Sequence, residues 1–203
     1  MPTIDLGPAA REVSRLLDGV KDDHLDGPTP CPEYSVGALL DHLMGLSLAF
    51  TWAARKTTAE DEGGSEESAP GQATAAHLDP QWRALLPQRL DSLAEAWRDP
   101  QAWEGMTEAG GFTMPAEQMG AVALDELVLH GWDLARSTGQ AFECDPVSTA
   151  VVLEFTGVSA QPEQAAAREG LFGPVVEVPA GASDLDRALG YAGRDPAWTP
   201  ATA

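Results

Sequence analysis

Apolar positions recur at Ile4, Leu6, Ala9, Ala10, Val13, Leu16, Leu17 and Val20, with charged residues between them. That spacing predicts an amphipathic helix over 4–20. Residues 26–34, DGPTPCPEY, break the pattern with turn formers. Ser35 then stands where an N-cap is needed, ahead of VGALLDHLMGLSLAFTWAAR, which predicts a long, largely apolar helix over 36–55. A helix this apolar belongs at the centre of a bundle. The stretch 57–76 holds EDEGGSEESAPG and predicts a flexible loop. A third amphipathic helix is expected over 80–98, striped by Trp82, Leu85, Leu86, Leu90, Leu93, Ala94 and Trp97, with Pro87 as an expected kink. Gly110-Gly111 is placed to turn a short hairpin in the connector 103–114. Pro115 suits the first turn of a fourth helix reaching Ser137, and Gly139 its stop. Residues 146–159 predict a fifth helix behind Asp145, LFGPVVEVPAGAS reads as extended chain, and a short helical piece is expected over 185–192.

No internal repeat and no strand–helix alternation interrupts this reading, so the fold class is mainly α. The simplest architecture is a four-helix up-down bundle with a short C-terminal extension. The bundle takes residues 1–160 and the extension, packing on it, residues 161–203. One domain suits a chain of 203 residues.

Composition changes the picture mainly by exclusion. Asp and Glu total 32 against 12 Lys and Arg, a formal net charge of −20. Such a surface repels nucleic acid and anionic lipid alike. The N-terminus lacks the basic and apolar regions of a signal peptide. Two cysteines, Cys31 and Cys144, make no disulfide framework. A soluble cytoplasmic protein is expected, as monomer or homodimer.

Two histidines lie inside the most apolar helices, His42 in LLDHLMG and His130 in DELVLHGWDLA. Glu126 precedes His130 by four residues, one turn away on the same helical face, and Asp133 follows by three. Each histidine alone reads most simply as a hydrogen-bonded core residue. Taken together, His42, Glu126 and His130 supply two imidazoles and a carboxylate, the ligand set of a mononuclear divalent-metal site with an open position. Zn2+ suits it, as would Ni2+ or another divalent ion. Asp133 has two readings, a hydrogen bond to a ligand imidazole or a structural bond to a neighbouring element. Trp132 and Arg136 beside it divide into one core residue and one surface or substrate contact. His24 and His77 sit in polar segments and are expected to take no part. Cys31 reads either as a small buried residue or as a reactive loop thiol near the site. No P-loop, dinucleotide fingerprint or nucleophile elbow is present.

TPCPEYSVGALLDHLMG, followed by ALDELVLHGWDLARSTGQ, resembles the metal-binding domain of mycothiol-dependent maleylpyruvate isomerases, within the DinB-like superfamily of four-helix bundles. The tail GLFGPVVEVPAGASDLDRALGYAGRDPAW is similar to that of an actinobacterial branch of the family. The resemblance puts the family's metal ligands on His42, Glu126 and His130. It implies mycothiol as a cosubstrate that becomes a thiolate beside the metal. The implied function is that of a mycothiol-dependent S-transferase or isomerase acting on a small electrophile. The alternatives are a non-catalytic metal- or ligand-binding bundle and a metal-dependent hydrolase using water in place of the thiol. The isomerases carry a further α/β domain that supplies an active-site arginine. The tail arginines here, Arg168, Arg187 and Arg194, are not equated with it by sequence.

Overall fold

A computed structural model describes residues 4–58, 61, 73–168 and 171–200. Pro8 sets where the first helix begins. A proline is tolerated in the first turn, where its missing N–H leaves nothing unmade. Helix α1 therefore spans Gly7–Leu17, shorter at both ends than the apolar periodicity suggests, with the Asp5 carboxylate accepting from the Gly7 amide at 2.8 Å. Ser35 caps α2, Val36–Arg55, by accepting from the Ala38 amide at 3.3 Å. Helix α3 spans Trp82–Ala96 and runs through Pro87. Most of the expected loop 57–76 lies outside the described residues.

The Gly110-Gly111 turn forms as its sequence predicts. Both glycines have positive φ, 58° and 80°, as a two-residue turn of right-twisting strands requires. They join β1, Met106–Ala109, to antiparallel β2, Phe112–Pro115, with Ala109 opposite Phe112. Pro115 closes β2 and serves as the N-cap of α4, Ala116–Ser137, one residue ahead of its expected place in the first turn. Gly139 at φ 69° carries the chain out of α4. Asp145 caps α5, Pro146–Ser159, accepting from two amides at 3.0 Å. A four-residue helix α6, Ala165–Arg168, precedes the extended segment, and α7 occupies Asp184–Tyr191 behind the Ser183 cap.

The result is the mainly α, DinB-like four-helix bundle expected. Helix α1 packs on α3 and α4, and α2 packs on the same two, so the order around the bundle is α1, α3, α2, α4. Leu16, Leu39, Leu43, Leu90, Leu127 and Val128 are fully buried between them. The same core takes in Val152 of α5 and Ala188 and Leu189 of α7. Helix α2 is, among the described residues, the one element long and apolar enough to cross a membrane, and most of it is buried inside the bundle.

Basic side chains fasten distant segments by donating to backbone carbonyls. Arg83 holds Val20 at 2.7 Å, Arg89 holds Met44 at 3.0 Å, and Lys56 holds Ala102 at 3.0 Å. Arg15 holds Ala141, Arg136 holds Trp198 and Arg168 holds Tyr191. Most of these bonds tie the connections and the tail to the helices, and the Arg89 bond joins α3 to a carbonyl in the middle of α2.

Candidate functional site

Helices α2 and α4 are neighbours, and their facing sides carry His42, Glu126 and His130. The two histidines need no special backbone: each sits within an uninterrupted helix whose inward positions are mostly apolar. Spacing by four residues puts Glu126 and His130 on one face of α4, and α2 brings His42 across to them. Glu126 Oε2 lies 3.1 Å from His42 Nε2 and 3.2 Å from His130 Nε2. The imidazole centroids are 4.8 Å apart at 81°, and one ligand atom from each residue falls within 4.8 Å of the others. In a four-coordinate shell with bonds of about 2.0–2.1 Å, neighbouring ligand atoms are roughly 3.3 Å apart. The three residues could therefore hold a divalent cation.

Exposure is graded across the group. The His130 side chain is 8% exposed, that of His42 22% and that of Glu126 29%, so the group opens to solvent on the His42–Glu126 side. Burial pushes the Glu126 carboxyl up, but hydrogen bonds from His130 and His42 and their charges outweigh it, and the group stays ionised well below the usual carboxylate range. Burial pushes His130 down, but its bonds to Asp133 and Glu126 prevail and raise it to about 9.

That shift makes a prediction for the metal-free protein. The folded value lies above the ordinary 6.5, so the stabilisation is full below about pH 6.5 and is lost as pH rises through about 9. Urea titrations of wild type and His130→Gln should show a stability difference that shrinks across this interval. A difference independent of pH would contradict the assignment.

Behind His130 the polar groups continue inward. Asp133, wholly buried, places Oδ2 3.0 Å from His130 Nδ1 and accepts from Arg194 Nη2 at 3.2 Å. Both readings of Asp133 are therefore met by one oxygen. Asp125, also buried, points Oδ1 where no partner among the described residues meets it, and burial holds its carboxyl well above the usual range. On the other side Tyr34 stacks on His42 with centroids 5.1 Å apart and sets its hydroxyl 3.5 Å from His42 Nδ1. Burial raises the Tyr34 phenol to about 12, so it keeps its proton.

The other candidates separate cleanly. His24 accepts from the Lys21 amide, and His77 is exposed. Cys31 and Cys144 are half-buried, and burial raises both thiols, which disfavours a reactive thiolate at Cys31 even though the Arg194 charge opposes the shift there. Trp132 is core, whereas Arg136 is engaged by the carbonyl of Trp198. Arg187 pairs with Asp184, and Arg168 with backbone carbonyls. Tyr34 and Arg194 are the contributors that sequence reasoning did not place. Tyr34 falls in a turn-rich segment without periodicity, and Arg194 lies 61 residues beyond its partner.

Residues 6–135 match the family described as the mycothiol maleylpyruvate isomerase N-terminal domain. Two curated relatives are each an uncharacterized protein of Mycobacterium tuberculosis, one from strain CDC 1551 / Oshkosh and one from strain ATCC 25618 / H37Rv. Each is 28% identical over 142 residues, covering 64% of this chain and 64% of the relative. The chain thus spans just under two thirds of the length of those relatives. No solved structure matches it.

Proposed function

Because the chain belongs to the mycothiol maleylpyruvate isomerase N-terminal domain family, we propose that it binds one divalent metal and a low-molecular-weight thiol, mycothiol, as an S-transferase or isomerase acting on a small electrophile. The observation that carries this reading is the convergence of His42, Glu126 and His130 at a group half-open to solvent. The donor set fits the ion. Two imidazole nitrogens and one carboxylate oxygen suit Zn2+, and Ni2+ would accept the same ligands. A divalent cation held there would favour the thiolate over the thiol near neutral pH.

The chain's own residues prepare the group for this. Asp133 at His130 Nδ1 and the Tyr34 hydroxyl at His42 Nδ1 can each accept from an Nδ1 hydrogen, which would leave each Nε2 as the nitrogen free to hold a cation beside Glu126. Ligation requires His130 to give up its Nε2 proton, and the exposed side of Glu126 and His42 leaves an approach for a small ligand. A cytoplasmic setting goes with a thiol cosubstrate of the reducing cell interior.

Calorimetry of the zinc-loaded protein with mycothiol tests the reading. Saturable binding that disappears when the metal is chelated is expected. Absence of binding to the loaded protein would remove the thiol-dependent reading and leave a metal-binding bundle. Turnover of an ester or amide without any thiol would replace it by hydrolysis.

A further inference from the structure

Helix α7 ends in a way that aims one side chain. Gly193 has φ 83°, its amide bonds the carbonyl of Gly190 at 3.0 Å, and the Arg194 amide bonds the carbonyl of Leu189 at 2.9 Å. This pair of bonds is the Schellman ending, which needs a residue free to take the left-handed conformation just past the helix. No other residue fits at 193, because a Cβ there would lie 2.7 Å from the backbone carbon of Gly173. The reversal turns Arg194 back toward the bundle. Its side chain is 8% exposed, and it donates from Nη1 to Ala192 O at 3.0 Å and from Nη2 to Asp133 Oδ2 at 3.2 Å. The same Asp133 oxygen faces His130 Nδ1 at 3.0 Å.

We infer that Arg194 is a positioning residue of the His42–Glu126–His130 group: its bond fixes the Asp133 oxygen that faces His130 Nδ1, and so holds His130 Nε2 toward the ligand position. The inference rests on the metal-binding reading above. A carboxylate with no exposure needs a charge partner, and among the described residues Arg194 meets it as a permanent cation, beside His130, which is charged only while protonated. Arginine suits the position because its fork serves a carbonyl and a carboxylate together, which a lysine ammonium matches in charge but not in shape. Asp133 and His130 belong to α4, whereas Arg194 comes from the tail, so the C-terminal extension takes part in the group without touching its open side.

The test compares wild type, Arg194→Gln and Arg194→Lys in the full chain, with two readouts. The first is Co2+ affinity, from its visible absorption in competition with a chelator. The second is the 15N shifts of the His130 ring in metal-free protein. Arg194→Gln is expected to weaken Co2+ binding about 10–100-fold, the usual cost of losing a supporting partner, and to change the ring pattern at Nδ1. Arg194→Lys is expected to recover most of the affinity. Unchanged affinity and an unchanged ring pattern in a folded Arg194→Gln protein would overturn the inference. Should that variant not fold, the double variant Asp133→Asn, Arg194→Gln decides, because it buries no unpaired charge. At least a tenfold loss of affinity is expected of it, and wild-type affinity would overturn the inference. If wild type itself takes up no Co2+, the metal-binding reading fails, and the ring-nitrogen comparison still decides whether Arg194 orients His130.

Discussion

Replacing His42 by alanine should abolish stoichiometric retention of divalent metal. The substitution leaves Glu126 and His130, two ligands from a single helix, where open catalytic sites use three. The loss of affinity should exceed the roughly 10–100-fold that removal of a supporting group costs. The fold should survive, because His42 reaches solvent while Leu39, Leu40 and Leu43 around it hold α2 in the core. Elemental analysis of purified protein, with a thermal melt as control, measures both. Metal content equal to that of wild type in the alanine variant would remove His42 from the site. The choice of His42 is informative because it is the one member of the group contributed by α2.

Trp97→Ala should give the largest loss of stability among single side-chain truncations outside the site. Trp97 ends α3, is 2% exposed, and donates from its indole nitrogen to the carbonyl of Phe50 on α2 at 3.0 Å. Its ring meets that of Trp103 at 4.8 Å, and the Trp103 indole donates back to the Trp97 carbonyl at 2.8 Å. Trp103 in turn fills the space above Gly120, where a Cβ would lie 2.3 Å from its ring. Truncation therefore opens a cavity where α3, α2 and α4 converge and leaves the Phe50 carbonyl without that donor. Burial of this kind is worth about 3–5 kcal/mol. For a chain of this size that corresponds to a fall in Tm of roughly 6–20 °C. A loss below about 1 kcal/mol in urea denaturation would mean that the neighbouring rings close the gap.

What the sequence discloses, and what it withholds, follows the range of the interactions. Ser35, Asp145 and Gly139 announce helix ends because capping is a matter of a few adjacent residues, and the Gly110-Gly111 turn is local in the same way. Glu126 and His130 are legible as a pair because one helical turn separates them. His42 joins them across 84 residues, and its place could be proposed from the apolar character of both helices. Tyr34 and Arg194 were not placed. Their positions depend on how a turn segment and the end of α7 fold back over the bundle, and no periodicity encodes that. The packing of α1 and α2 on the same two partners is likewise a property of the assembled core. The turn at Gly193 shows where a signal did exist: a glycine just past a short helix marks a reversal, though it does not say toward which partner.

The carbonyl-binding arginines give the acidic composition a further meaning. Cations that bind Val20, Met44, Ala141, Tyr191 and Trp198 act as rivets between segments. Arg15 and Arg83 also pair with Glu12 and Asp22, yet carboxylates far outnumber cations in a chain with net charge −20. In dilute buffer the folded chain therefore works against its own field. Ionic strength near 0.1 M, which shortens the range of that field to about 10 Å, relieves the repulsion between distant carboxylates. It weakens the short, partly buried rivets far less, so the balance between cohesion and repulsion in this molecule shifts toward cohesion as salt is added.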